Sequence, residues 1–274
     1  MQNVFPFSRK KKLGLALGCG GAKGMAHLGV LKAFEESNVF FEEYAGTSIG
    51  SIVGALRAFG YTSDKLKESV FNIYLKEFVK YIRPYTDMQF VEELLNEYLK
   101  GVTFDELPSP FFAWATDKHT MEGVLLSSGS VARACICSSA IPPYFHSVTE
   151  KGRELIDGVY TNAIPADVLK DRGVRFIVGV DLNATSDEIP RYYNKMTKIL
   201  SYALDSTVKI TPKADALTRG YAACDVVIKP ALERFACIDS TGESLELMYE
   251  EGYLQAKRQM PQILRQMKKK GVIS

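Results

Sequence analysis

Apolar residues follow two rhythms along this chain, and the alternation between them carries most of the fold information. Residues 13–17 (Leu-Gly-Leu-Ala-Leu) form a short apolar run entering a glycine cluster, the pattern of a buried strand that ends in a tight turn. Residues 24–36 follow with Leu28, Leu31 and Phe34 at helical spacing. The sequence then repeats itself in kind: 39–44 reads as a second strand, and 48–59, with Ile49, Ile52, Val53 and Leu56, as a second helix. Strand–turn–helix twice over implies parallel strands covered by helices.

Beyond this pair the rhythm is amphipathic and helical over 64–100, with a break at Pro84. Residues 112–115 and 124–126 predict neighbouring strands, and 131–137 a short helix. A strand over 154–156 delivers Asp157 at its tip, and 175–180 predicts another buried strand. Residues 186–220 are polar and helical in the middle, and 226–228 is a last strand. Leu245, Met248, Gly252, Ala256, Met260, Ile263 and Met267 mark a closing amphipathic helix. No repeat or linker divides the chain, which predicts a tail over 1–12 and one domain over 13–274.

Composition narrows the possibilities. At 274 residues and 46% hydrophobic, the chain builds a sizeable core, and a net charge of +2 is too balanced for nucleic acid as the main partner. The five cysteines are odd in number and include no C-x-x-C pair, which argues against a disulfide scaffold or a zinc site and for a reducing compartment. The first residues lack the charge-then-apolar order of a secretory signal, and no stretch approaches the roughly 18 apolar residues of a membrane span. The expected location is the cytoplasm, with metal and cofactor both absent.

Two segments carry chemistry. Gly46-Thr47-Ser48-Ile49-Gly50 lies between a strand and a helix, where a sharp turn lifts a serine hydroxyl clear of the backbone. Gly18-Cys19-Gly20-Gly21-Ala22-Lys23-Gly24 lies at the preceding strand-to-helix junction, where free N–H groups at a positive helix end suit an anion. A dinucleotide fingerprint, G-x-G-x-x-G, fails in register: begun at Gly18 its third glycine falls on Lys23, and ended on Gly24 its first falls on Cys19. A P-loop fails because Lys23 follows Ala22. An oxyanion hole built from the amides of Gly20, Gly21 and Ala22, serving Ser48, fits better. Only three histidines exist, His27, His119 and His146, and none follows Asp157. A Ser…Asp…His triad using that aspartate is therefore impossible, and only His146 with an earlier acid such as Asp105 or Asp117 remains for one.

These blocks resemble the patatin-like phospholipase family. Residues 17–36 (L-G-C-G-G-A-K-G-M-A-H-L-G-V-L-K-A-F-E-E) are similar to its glycine-rich block, and 44–55 (Y-A-G-T-S-I-G-S-I-V-G-A) to its nucleophile elbow. Residues 137–145 (C-S-S-A-I-P-P-Y-F) resemble its A-S-x-A-I-P segment, and 155–162 (L-I-D-G-V-Y-T-N) the strand bearing its aspartate. The four blocks stand in family order within a motif-bearing core over 13–183. The resemblance implies a three-layer α/β/α fold around a mostly parallel sheet. It also implies a Ser48–Asp157 dyad, an oxyanion hole in the glycine-rich loop, no catalytic metal, and lipid or lysophospholipid acyl esters as substrates. Gly46, Gly50, Lys23, Gly24 and Gly158 then support the motifs. Two departures stand out: Cys19 replaces the first glycine of the family's triplet, and Val159 replaces the small residue after Asp157-Gly158.

Three matters stay open at this level. Lys23 either orients a phosphate head group or is a solvated lysine at a helix start. Over 64–85, Phe71, Tyr74, Phe78, Tyr81 and Tyr85 repeat at three- and four-residue spacing among Lys65, Lys67, Lys76, Lys80 and Arg83. That pattern serves either a core-packing helix or a face that approaches an anionic membrane. And two other classes compete with the hydrolase: a nucleotide-binding oxidoreductase on the glycine loop, and a catalytically idle membrane-associated binding protein.

Overall fold

A sheet with parallel strands at its centre and antiparallel strands on one flank organises the chain, in a computed structural model that describes residues 13–72, 86–183, 214–239 and 241–273. Strand β1 (Leu13–Leu17) lies in the middle, between β2 (Glu43–Thr47) and β7 (Phe176–Val180), parallel to both. Outward from these, β3 (Phe111–Asp117) runs parallel to β2, and β8 (Val226–Ile228) parallel to β7. On the β3 side the direction reverses, because β4 (Gly123–Leu126) and β6 (Arg153–Asp157) pair with β3 antiparallel. A hairpin strand, β5 (Val148–Glu150), closes that edge against β6. The sheet is thus mixed, with its parallel part where the strand–helix rhythm is strongest.

Strand periodicity decides which helices lie on which face. Leu13, Leu15 and Leu17 of β1, with Phe111 and Ala113 of β3 and Phe176 and Val178 of β7, turn to one side. There they meet α1 (Met25–Glu36), α2 (Ile49–Phe59), α5 (Val131–Ser139) and α8 (Gly242–Lys269). Ala16, Ala45, Phe112 and Ile177 turn to the other side, onto α6 (Ala166–Asp171) and α7 (Ala214–Ala223). Two further helices, α3 (Ser63–Asn72) and α4 (Gln89–Leu99), add Leu66, Val91 and Leu95 to the first layer. The three-layer expectation holds. In β1, β2, β3 and β7 alternate residues are buried, one set against each helical layer.

The closing helix, read from its heptad-like apolar stripe, is the 28-residue α8, and its stripe is buried along its whole length. It crosses α1 almost backbone to backbone: a Cβ on Gly252 would lie 2.1 Å from the Ala26 carbonyl oxygen. Where the elements differ from the sequence reading, the cause is local. The second strand starts at Glu43 rather than residue 39 and runs directly into Ser48, because Ala45, Gly46 and Thr47 are too small to announce a strand. Strand β5 and helix α6, of 3 and 6 residues, are too short for periodicity to register. Most of the aromatic and basic residues of 64–85, and most of the polar 186–220 segment, lie outside the described residues. Among the described residues no helix is long and apolar enough to cross a membrane.

Candidate active site

Ser48 sits between β2 and α2 with φ 56° and ψ −128°, a left-handed backbone that a non-glycine residue adopts only when its surroundings impose it. The surroundings are visible. The Ser51 amide and hydroxyl both donate to the Ser48 carbonyl, at 2.8 and 2.7 Å. On the other side, the Ser48 amide donates to Ser138 Oγ at 2.9 Å, and that hydroxyl donates onward to the Trp114 carbonyl at 2.6 Å. Ser138 thereby ties α5 and β3 to the serine's own peptide.

The elbow's glycines are needed for contact distance. A Cβ on Gly50 would fall 2.2 Å from the Leu17 carbonyl oxygen, and one on Gly46 would fall 2.2 Å from the Gly50 oxygen. The first turn of α2 can therefore lie flush against the end of β1, which brings Ser48 beside the glycine-rich loop. Gly24 serves the same approach from the loop's side, where a Cβ would meet Ile49 at 2.2 Å, and Gly158 does so against the Trp114 carbonyl, 2.1 Å away.

Asp157 ends β6 opposite Ala115 of β3 and is 1% exposed. Burial pushes its pKa from 3.8 up to about 7, against the opposing pull of hydrogen bonding from the Ser48 side chain and the Val159 amide. That amide donates to Oδ1 at 2.9 Å, and no basic side chain among the described residues contributes to lowering the value. The sequence places a serine and an aspartate 109 positions apart; the fold puts them within hydrogen-bonding reach, in a site where a carboxylate titrates near neutrality. Tyr160, three residues on, buries its hydroxyl without a hydrogen-bond partner among the described residues.

The glycine-rich loop is pinned carbonyl by carbonyl. Gly18 donates to Val180 at 3.0 Å and Cys19 to Ala163 at 3.1 Å. Gly18 O accepts from His27 Nε2 at 2.8 Å, and Cys19 O from Asn183 Nδ2 at 2.8 Å. Gly21 has φ +56°, and a Cβ there would lie 2.4 Å from the Cys237 carbonyl oxygen, so only glycine passes under that segment. The amides of Gly20 and Gly21 donate to no group among the described residues. The Ala22 amide differs from expectation: it is taken by the Cys237 carbonyl at 2.7 Å, which leaves it no capacity for an incoming oxyanion. Residue 237 is too remote in sequence for any local pattern to reveal this.

Lys23 is half-buried, and its ammonium makes no ion pair among the described residues. Cys19 is buried, with its thiol pKa pushed well up by desolvation first and by the nearby Asp157 charge second, so it is an inert packing thiol. The histidines are accounted for. His27 is wholly buried, its pKa pushed down to about 4 by desolvation, and as a neutral ring it donates to Gly18 O. His119 is exposed beside Glu154, and His146 is exposed on the surface. Neither geometry makes a base for Ser48.

Ser138 and Asn183 were not singled out by sequence reasoning. Ser138 stands inside the 137–145 block, and that block was its only signal. Asn183 follows β7 with no motif around it.

Comparison with known proteins places these features. The model of the Patatin-like phospholipase family matches residues 15–170. The human "Patatin-like phospholipase domain-containing protein 6" is 27% identical over 277 residues, covering 89% of this chain and 20% of that protein. "Lysophospholipase NTE1" of Kluyveromyces lactis is 25% identical over 288 residues, covering 92% of this chain and 20% of that protein. This chain therefore spans about a fifth of the length of the curated relatives it matches. Among solved structures, VipD of Legionella pneumophila superposes with TM-score 0.58 at 16% identity, over 94% of this chain and 67% of VipD. Human group IVD cytosolic phospholipase A2 does so with TM-score 0.51 at 11% identity, over 95% of this chain and 59% of that one. At these identities the structural likeness speaks for the fold.

Proposed function

The chain belongs to the patatin-like phospholipase family, and from that premise we propose that it hydrolyses lipid acyl esters through Ser48 as nucleophile and Asp157 as general base. One observation carries the reading. A serine fixed on a left-handed strand-to-helix turn lies within hydrogen-bonding reach of a buried aspartate whose pKa is raised to about 7. An ordinary carboxylate is too weak a base to take a serine proton; burial makes this one stronger while leaving it substantially ionised at neutral pH.

The sequence of events follows from these positions. Asp157 accepts the hydroxyl proton as Ser48 Oγ bonds to the ester carbonyl carbon, and the carbonyl oxygen becomes an oxyanion facing the Gly20 and Gly21 amides. The C–O bond to the alcohol then breaks, and Asp157 returns its proton to the leaving oxygen. Water repeats the attack on the acyl-serine, with Asp157 again taking the proton, and the free acid leaves with Ser48 restored. The relatives' names, a phospholipase domain protein and a lysophospholipase, support a phospholipid or lysophospholipid as the acyl donor. Contact with a membrane surface, needed to reach such substrates, belongs to the same proposal. So do a cytoplasmic location and a hydrolase domain over 13–274.

A fluorophosphonate probe tests the assignment. Mass spectrometry of labelled wild type should find the adduct on Ser48, and Ser48→Ala should lose both label and lysophospholipid hydrolysis. An adduct elsewhere, with hydrolysis intact in Ser48→Ala, would remove Ser48 from the mechanism.

A further inference from the structure

The Gly20 and Gly21 amides, which have no partner among the described residues, point where the other ends of their peptide units allow. A trans peptide directs its N–H opposite to its C=O, and the Cys19–Gly20 and Gly20–Gly21 bonds are both trans. Fixing Cys19 O therefore aims the Gly20 N–H, and fixing Gly20 O aims the Gly21 N–H. The second carbonyl is held from within the loop, by the Lys23 amide at 3.2 Å. The first is held from across the molecule, by Asn183 Nδ2 at 2.8 Å.

We propose that Asn183 is a positioning residue for the oxyanion hole, its side-chain amide aiming the Gly20 N–H at the carbonyl oxygen of the ester bound at Ser48. This rests on Ser48 as the nucleophile and on Gly20 as a donor. Three observations support it. Asn183 Nδ2 also faces Cys19 Sγ at 3.5 Å, so its amide orientation is determined: the flipped group would set an oxygen against a carbonyl oxygen. Asn183 is itself anchored, its backbone N–H donating to Asp181 Oδ1 at 2.9 Å, while the other oxygen of that buried aspartate accepts from the Tyr221 hydroxyl of α7. And the peptide just before is clamped at both ends, by His27 on Gly18 O and by Ala163 on the Cys19 amide. The Cys19–Gly20 plane is the next one along, and a side chain alone holds its carbonyl.

Asn183 is exposed, so replacing it opens no cavity in the core. Asn183→Leu and Asn183→Asp both match its size, and neither can donate. Each is expected to lower kcat on a lysophospholipid about 10–50-fold, with KM within about twofold, because the lost alignment acts only where the oxyanion forms. A trifluoromethyl ketone, which adds to the serine as an oxyanion, should lose affinity by the same factor as kcat. The pH profile of the uncharged Asn183→Leu should match wild type, while the melt of each variant reports the partner lost by the Cys19 carbonyl. The proposal is overturned if either variant, shown folded by its melt, keeps kcat and ketone affinity within about twofold, or if KM rises while kcat holds. Fluorophosphonate labelling of wild type separates the two layers. No adduct on Ser48 sinks the nucleophile assignment, whereas a labelled Ser48 beside indifferent Asn183 variants removes only the role of Asn183.

Discussion

The turn after β2 and the loop after β1 lie side by side at the ends of adjacent strands, yet they are held in place differently. Around Ser48 part of the restraint is close in sequence, Gly46 against Gly50 and Ser51 on the Ser48 carbonyl, with Leu17, Ser138 and Asn162 as distant ties. Around Gly20 and Gly21 Lys23 and His27 hold two carbonyls from nearby, and the rest of the restraint comes from Ala163, Val180, Cys237 and from Asn183, 164 residues along the chain from Cys19. A nucleophile must be presented at one angle, which five residues can encode. A set of backbone donors must be divided between those the protein uses and those left for substrate. That division depends on which carbonyls the rest of the fold brings to the loop.

The largest expected effect tests whether Asp157 serves both segments as their common base. Asp157→Asn should lower kcat by about 10²–10⁴-fold, the contribution of a positioned acid–base group. In wild type, kcat/KM should rise with pH through about 7 as the carboxylate ionises, and that limb should vanish in the variant. Stability should move the opposite way. The folded pKa lies above the unfolded one, so wild type carries no penalty below pH 3.8, a growing one up to about pH 7, and a constant one above. The melting temperature of Asp157→Asn relative to wild type should therefore rise between pH 4 and 7, by the equivalent of up to roughly 4 kcal/mol. A difference flat across that range would mean that Asp157 titrates normally.

Next comes the contact between the elbow and the end of β1. Gly50→Ala sets a methyl where the Leu17 carbonyl now lies 2.2 Å from its position, so α2 must retreat from β1. Overpacking of this kind costs about 1–3 kcal/mol, and activity should fall with it by at least tenfold. Full activity with an unchanged melt would mean that the two segments need not touch.

Ser138→Ala probes the distant tie to the Ser48 amide. It removes an acceptor from the Ser48 amide and a donor from the Trp114 carbonyl, which should destabilise by about 1–3 kcal/mol and lower kcat several-fold. If kcat is unaffected while the melt drops, the tie serves the fold and the elbow is locally sufficient.

Smallest of all is Cys19→Gly, which restores the family's triplet. With the backbone held by Ala163 and Asn183, activity should stay within about threefold while a melt reports the lost packing. A large loss of activity would show that the thiol, rather than the held carbonyls, sets the loop.

Much of this was readable from residues. The first sixty residues give their strands and helices by periodicity, and α8 announces its buried stripe from Leu245 to Met267. Ser48 and Asp157 stand in blocks whose flanking glycines are the ones the contact distances require. The short β5 and α6 were not readable, because 3 and 6 residues cannot complete a hydrophobic period. The early start assigned to β2 had a related cause, since its true end is built of alanine, glycine and threonine.

What the sequence determined by itself is therefore which groups stand ready for the proposed chemistry: a serine on a tight turn, an aspartate at a strand tip, and no histidine after it. What only the tertiary structure decided is the state of each group. Burial by residues from several elements raised the pKa of Asp157. A carbonyl at Cys237 took the Ala22 amide and left those of Gly20 and Gly21 without a partner among the described residues. Residue types are local, but desolvation and hydrogen-bond partnership are sums over whatever the fold brings near.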